Sequence, residues 1–331
     1  MFIIAEIAQA HEGSLGIAHS YIDALAKTGV HAVKFQTHIA VAESSIHEPF
    51  RVKFSYEDET RFDYWKRMEF TASQWAGLKS HCEEKGLEFI SSPFSCAAVD
   101  LLENLGVTTY KIGSGEVSNL LMLEKIARTG KKIILSSGMS SLDELDSTIQ
   151  FLKPFGNALS VLQCTTAYPT VAGQWGLNQI RVLKERFGLP TGFSDHSGDI
   201  FACLAATSLG ASILEFHAVF DKNMFGPDAK ASLTISEITK LVQGVNEITK
   251  DLHSAINKES SESFAELKKI FQKSLAVNKD LEAGHIITMD DLESKKPAGY
   301  GINAGDFKKV LGKKLAHKKS AQDFLTETDF L

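Results

Sequence analysis

The chain has 331 residues, 44% of them hydrophobic and 23% charged, which is enough for one large globular domain and a small one. A formal net charge of -6 speaks against a nucleic-acid partner, and no apolar stretch approaches the ~18 residues of a membrane span. The apolar start is short, lacks a basic region and is interrupted by Glu6, so a secretory signal is not expected and a cytoplasmic protein is. The cysteines Cys82, Cys96, Cys164 and Cys203 show no CxxC spacing and read as free thiols in a reducing compartment.

In chain order, short β-branched or apolar runs predict strands at Phe2–Ile7, Ala32–Phe35, Glu88–Ser91, Thr109–Ile112, Lys132–Ser136, Ala158–Gln163, Thr191–Ser194 and Ile213–His217. Helix-period segments follow them, such as the Ser-capped, acid-started run at 140–145 and the segment Ile235–Ile248. Eight such units over roughly 250 residues predict an α/β fold, a (β/α)8 TIM barrel over residues 1–253. A doubly wound sheet is the alternative, weakened because no Gly-rich dinucleotide turn follows the first strand. The second connection, residues 37–72, is long and carries Phe50, Phe54, Tyr56, Tyr64 and Trp65. Its aromatics favour burial, so a lid or interface segment is expected there.

After the barrel, residues 254–272 read as a polar linker, and 273–331 as a small, mostly-β domain with short strands, Gly turns and lysine pairs. A unit of about 60 residues holds little core of its own and is expected to dock on a barrel, its own or a partner's. The lysine pairs read as a solvated face, with Lys296 set apart by the turn residues Pro297 and Gly299 beside it.

A TIM barrel carries its site at the C-terminal ends of its strands. Here those ends read Glu6, then Lys34 and Gln36, then Ser91 and Ser92. Next come Lys111, Ser114 and Glu116, then Ser136 and Ser137, Gln163 and Thr165, Ser194 to His196, and Glu215 with His217. Lysines, serines and the turn at Gly113–Gly115 suit a phosphate or carboxylate anion. His196 and His217, each ending an apolar run, suit a divalent metal, with Asp195 or Glu215 to orient the rings. Taken singly, each has a structural alternative: Lys111 paired with Glu116 to satisfy charge, and the histidines as hydrogen-bonded core residues.

The ordered series is specific. It runs through Ile4–Ile7 with His11–Ser14, Val33–Thr37, Ser91–Ser95, Tyr110–Glu116, Leu135–Met139, Gln163–Pro169, Ser194–His196, Glu215–His217 and Gly226–Asp228. Across essentially the whole chain it resembles the sialic acid synthase family. These are phosphoenolpyruvate-dependent nonulosonate synthases with a (β/α)8 barrel and a C-terminal antifreeze-like (SAF) domain. The resemblance implies metal ligands at His196 and His217, with Mn2+ the expected ion and Mg2+ or Co2+ the alternatives. It implies phosphoenolpyruvate contacts at Lys34, Ser92, Lys111, Ser114, Ser136, Thr166 and Ser194. Sugar contacts are implied at Gln36, Glu116, Tyr168 and Asp228, with Glu6 beside the reacting centre; Glu6, Lys111 and Glu116 are the catalytic candidates. A domain-swapped homodimer is implied, the SAF domain of one subunit covering the barrel of the other.

The chain departs from the family pattern at Thr166, where some members carry Asn, at Phe216, where a basic residue is common, and at Lys296-Pro297, where relatives place Arg-Pro. Lysine is a point charge rather than a planar fork, so recognition of an acyl group there is expected to differ, and no arginine follows Arg186. The expected activity is N-acetylneuraminate-type synthesis from phosphoenolpyruvate and an open-chain N-acylmannosamine, with phosphate released by C–O cleavage. A legionaminic or pseudaminic acid synthase acting on a 6-deoxy-diacetamido hexose is the enzyme alternative, and a non-catalytic carbohydrate-binding protein the alternative of another class.

Overall fold

A computed structural model describes residues 1–52, 54–254 and 258–331. Lys53, in the long connection, and residues 255–257, in the expected linker, lie outside the described residues. The chain divides into two compact units, Met1–Ser254 and Ala255–Leu331.

The first unit begins with β1 (Phe2–Glu6), α1 (Leu15–Leu25), β2 (Ala32–Thr37), α2 (Ala40–Glu43), α3 (Arg61–Met68) and α4 (Ala72–Glu84). It continues through β3 (Glu88–Pro93), α5 (Cys96–Leu105), β4 (Thr109–Ile112), α6 (Leu120–Ala127), β5 (Lys132–Ser136) and α7 (Leu142–Leu152). It ends with β6 (Leu159–Cys164), α8 (Asn178–Phe187), β7 (Thr191–Asp195), α9 (Phe201–Ser208), β8 (Ile213–Val219), the two-residue β9 (Leu233–Thr234) and α10 (Ile235–Leu252). Strands β1 to β8 pair in parallel in sequence order, and β8 pairs back onto β1. That closure makes a barrel and excludes the doubly wound sheet. Helix starts follow their cap chemistry: Thr71 with Gln74, Ser141 with Glu144 and Thr234 with Glu237 form capping boxes that satisfy the first N–H groups of α4, α7 and α10.

The two-residue period of a strand sorts each strand's side chains into two populations. One phase, including Ile3, Ala5, Val33, Phe35, Phe89, Tyr110, Ile133, Val161, Phe193 and Phe216, packs outward into the main core beneath the helices. The other phase points inward. Ile4, Ala32, Ile90, Ile134, Leu162 and Ile213 fill the barrel interior as a separate apolar cluster. Two residues further along those same strands stand Glu6, Lys34, Ser92, Ser136, Cys164 and Glu215. An apolar plug is thus overlain by a polar layer. The strands β2 and β3 run to Thr37 and Pro93, further than the apolar runs predict, because the polar residues stay in the ladder, with Gln36 opposite Ser92.

The long connection is folded. Ala40, Tyr64, Trp65 and Met68 are buried together, with Phe50, Phe54 and Phe62 packed on them.

In the second unit α11 (Ala265–Phe271) precedes β10 (Ser274–Val277), which pairs antiparallel with β11 (Leu292–Lys295). A helix therefore occupies part of the stretch expected as a linker. The unit has its own small core of Leu275, Val277, Leu281, Ile287, Ile302, Val310, Leu315 and Leu325. Asp291, buried, accepts from Lys279 at 2.8 Å and His285 at 2.9 Å and caps Thr288, tying that unit's turns together.

Strand β7 approaches β8 closely at Gly192, where a Cβ would fall 2.4 Å from the Ile213 carbonyl oxygen and 2.6 Å from a Leu162 methyl. Gly192→Ala must push two strands apart and is expected to lower Tm by roughly 2–10 °C in a thermal melt. An unchanged melt contradicts this account of the barrel wall.

Candidate active site

The polar layer opens into a cavity of about 430 Å³ at the C-terminal ends of the strands. Parallel register sets its innermost charges. Glu6 on β1 lies opposite Lys34 on β2 and opposite His217 on β8, while Ser194 on β7 lies opposite Glu215. The Lys34 ammonium donates to Glu6 at 2.5 Å and sits 3.7 Å from Glu215; Lys111 sits 3.2 Å from that same Glu215 oxygen. Ser194 donates to it at 3.2 Å. Two cations and two carboxylates, all nearly inaccessible to water, thus neutralise one another on the barrel floor. Burial alone would raise the Glu6 carboxyl, but Lys34, His217 and Lys111 outweigh it and hold the group well below the usual carboxylate range. Burial likewise opposes the Lys34 charge, and Glu215 with Glu6 more than restores it.

Lys111 therefore pairs with Glu215 and not with Glu116, which instead accepts from Asn119 at 2.8 Å and is raised by burial. Nor do Asp195 and Glu215 orient the imidazoles. Asp195 accepts from the Ser197 hydroxyl at 2.7 Å, and Glu215 serves the lysines. The His196 ring is fixed by a backbone carbonyl, Thr165 O, 3.1 Å from Nδ1, which leaves Nε2 as its free nitrogen. The His196 and His217 centroids are 5.2 Å apart, and His217 Nε2 faces Glu6 Oε2 at 3.3 Å. Among the described residues, no group of three or more His, Cys, Asp and Glu side chains is arranged to hold a metal ion. Two imidazoles beside a carboxylate nevertheless suit a divalent ion that completes its shell with substrate and water oxygens.

One wall is a hydroxyl cradle. Ser136 Oγ and Glu215 Oε2 are buried and have no hydrogen-bond partner among the described residues, although both residues line the cavity. An unpartnered hydroxyl in a buried polar layer is a donor awaiting an acceptor. Beside it, Gly138 lets Ser114, Thr166 and Cys164 converge: a Cβ there would fall 2.5 Å from Thr166 Oγ1, 2.6 Å from Ser114 Oγ and 2.9 Å from Cys164 Sγ. Ser92 lies 3.4 Å from the Lys34 ammonium. Lysines and serines thus face one anion-sized space.

All the sequence-derived site residues of the barrel line this cavity: Glu6, Lys34, Gln36, Ser92, Lys111, Ser114, Glu116, Ser136, Thr166, Tyr168, Ser194, His196, His217 and Asp228. Lys296 belongs to the second unit, where its ammonium lies 5.0 Å over the Phe271 ring. Other strand-end residues point away. Ser91 bonds Thr37 at 2.7 Å, and Ser137 donates to Gln163, because they occupy the outward phase of their strands.

Residues outside the motifs also enter the cavity. Arg51, from the long connection, stacks 4.1 Å over the Tyr168 ring and binds Asp228 at 2.6 Å. Arg61 stacks on Trp65 and pairs with Glu48 at 3.0 Å. No local pattern marks either arginine. His38 was legible, since it continues the inward phase of Lys34 and Gln36, and Gln9 lies three residues past Glu6 on the same rim.

Comparison with known proteins places this geometry. Residues 21–257 match the model described as NeuB family, and residues 272–331 match the SAF domain. The N,N'-diacetyllegionaminic acid synthase of Campylobacter jejuni is 37% identical, covering 98% of each chain. The N-acetylneuraminate-9-phosphate synthase of Homo sapiens is 32% identical over 98% of this chain and 91% of that one. Among solved structures, the N-acetylneuraminic acid (sialic acid) synthetase of Leptospira borgpetersenii, in complex with citrate, superposes with a TM-score of 0.71. It is 31% identical, covering 80% of this chain and 89% of that one. The chain belongs to the NeuB family and carries a SAF domain.

Proposed function

We propose that the protein is a phosphoenolpyruvate-dependent nonulosonate synthase, condensing phosphoenolpyruvate with an unphosphorylated, open-chain N-acylated hexosamine. One observation carries the reading: two buried lysines, the unpartnered Ser136 hydroxyl and two imidazoles converge at one end of a single cavity. Lys34 and Lys111, with Ser92, Ser114, Ser136, Thr166 and Ser194, bind the phosphate and carboxylate of phosphoenolpyruvate. Gln36, Glu116, Tyr168 and Asp228 orient the sugar. His196 and His217 hold a divalent ion, Mn2+ by preference, which when bound polarises the sugar's aldehyde oxygen.

In the reaction C3 of phosphoenolpyruvate bonds to the aldehyde carbon, water adds at C2, and the C2–O bond breaks to release inorganic phosphate. Glu116, raised by burial, is suited to hold the proton that the new hydroxyl takes up. Glu6, kept ionised by Lys34, is suited to orient the aldehyde end and to accept a proton from the attacking water. The acceptor is proposed to be unphosphorylated; the outer-cavity cations Arg51 and Arg61 are each paired with a carboxylate, as Lys34 and Lys111 are below them. The same members of the cavity, Arg51 on Tyr168 and Asp228, put a planar guanidinium within the barrel itself, beside the proposed sugar contacts.

Within the family, a 6-deoxy-diacetamido hexose is the second reading for the acceptor, favoured by the 37% identity to the Campylobacter legionaminic acid synthase. We also propose a cytoplasmic, domain-swapped homodimer in which the SAF domain of one subunit covers the barrel of the other. No helix among the described residues is long and apolar enough to cross a membrane.

A panel of acceptors with phosphate release as readout tests the function. N-acetylmannosamine or a 2,4-diacetamido-6-deoxy hexose is expected to drive release, while N-acetylmannosamine 6-phosphate does so poorly. Sugar binding in calorimetry with no release from any acceptor would defeat the enzymatic reading. His196→Asn and His217→Asn are each expected to abolish Mn2+ binding, followed by electron paramagnetic resonance, and to cut kcat by about 100-fold or more. Full activity in both variants removes the metal assignment. Light scattering at micromolar concentration is expected to return twice the chain mass, and a monomer rules out the swapped dimer.

A further inference from the structure

The inner charge layer is connected to the cavity rim by a chain of hydrogen bonds whose direction can be worked out by counting donors. Lys34 donates to Glu6 Oε1, so that oxygen is an acceptor. Gln36 Nε2 lies 2.7 Å from the same oxygen, and only an N–H2 group can face it there. The Gln36 carbonyl oxygen must then point the other way, toward the Gln9 side chain, which supplies its own N–H2 group in a short bond. Gln9 Nε2 also lies 3.1 Å from His38 Nε2. An amide N–H2 group can only donate in that contact, and read so it gives the nitrogen a lone pair. The proton of His38 resides on Nδ1, which lies 2.6 Å from Glu43 Oε1. The 3.2 Å approach of His38 Nε2 to Gln36 Oε1 is then two acceptors sharing the one Gln9 amide.

The ring that ends this chain is held without freedom. It is 3% exposed and sandwiched between Trp65, 4.0 Å away at 18°, and Phe94, 4.6 Å away at 12°. The stack sets the ring plane; Glu43 sets which nitrogen is protonated. In that state His38 can only accept from Gln9, and the two amides can only point inward. An imidazole with a proton on Nε2 would instead donate to Gln36 Oε1 at 3.2 Å and set its N–H beside the Gln9 N–H2 group, and relieving that contact would turn Gln9 and leave its carbonyl oxygen against that of Gln36.

We propose that His38, fixed by Glu43, is a positioning residue that acts through Gln9 and Gln36 to hold the Glu6 carboxylate in one orientation for the reaction. The inference rests on the proposed function for its catalytic consequence, but its structural half stands without it.

The structural half is read by long-range 15N–1H correlation spectra of the labelled full-length protein at pH 7.5, with His38 assigned by its loss in His38→Gln. The expected signature is a neutral ring protonated at Nδ1. A ring protonated at Nε2, or at both nitrogens, overturns the donor chain. The catalytic half uses His38→Phe, which keeps an aromatic ring between Trp65 and Phe94 but removes both ring nitrogens, and Gln9→Leu, which cuts the chain in the middle. Both are expected to lower kcat for acceptor-dependent phosphate release by about 10- to 100-fold while the KM for phosphoenolpyruvate stays within about twofold. His38→Gln, whose amide oxygen can accept from Gln9, is expected to recover most of the loss. Wild-type kcat in His38→Phe, or His38→Gln falling as far as His38→Phe, defeats the positioning role. A wild-type protein inactive with every acceptor refutes the proposed function instead, and the tautomer measurement still decides the donor chain.

Discussion

The ion-paired floor of the barrel, Glu6 and Lys34 with Glu215 and Lys111, is the constraint on which the rest of the site depends. Charges this deeply buried are costly to desolvate, and a well-packed apolar layer would serve stability as well or better. Removing one partner leaves an uncompensated charge, a loss of about 3–5 kcal/mol in comparable buried pairs. The layer is therefore expensive structure kept at the one place where an anionic substrate would need two cations already oriented. Neutralised in its resting state, it makes no large field of its own. An incoming phosphate or carboxylate would compete with Glu6 and Glu215 for the ammonium groups instead of meeting bare charge.

What supports that layer is simple geometry. The apolar plug of Ile4, Ala32, Ile90, Ile134, Leu162 and Ile213 closes the barrel below it. Because side chains alternate along a strand, the position two residues beyond each plug residue must also point inward, one layer higher. The plug and the polar layer are consecutive steps of one pattern, and a register slip in any strand would move a member of both to the wrong face. Above them the folded connection between β2 and α4 adds a third tier. Its aromatic cluster seats His38, and Arg51 bridges it to Tyr168 and Asp228. Rigid strands thus hold the lower end of the cavity, and a packed insertion shapes the upper end, where acceptor choice would be made.

Much of the fold was legible in sequence, since the eight apolar runs and their capped helices repeat with one period. The strand ends identified the cavity-lining residues, although the two phases were not separated there. Ser91, Ser137 and Gln163 look equivalent to Ser92, Ser136 and Cys164 until the inward phase is fixed by the plug. His38 could have been found by extending that phase from Lys34 and Gln36. Arg51 could not, because a residue in an irregular connection carries no periodic signal of where it returns.

The sequence by itself determined the barrel, the family resemblance and the set of strand-end chemistries, because these follow from patterns local in the chain. Only the tertiary structure decided who pairs with whom. Lys111 meets Glu215 from across the barrel and not Glu116 from its own loop, and the rings of His196 and His217 lie beside Thr165 and Glu6 and not beside their acidic neighbours in sequence. The reason is physical: charge pairing and hydrogen bonding depend on distance in space. In a closed parallel barrel, those distances are set by strand register and by the joining of the last strand to the first.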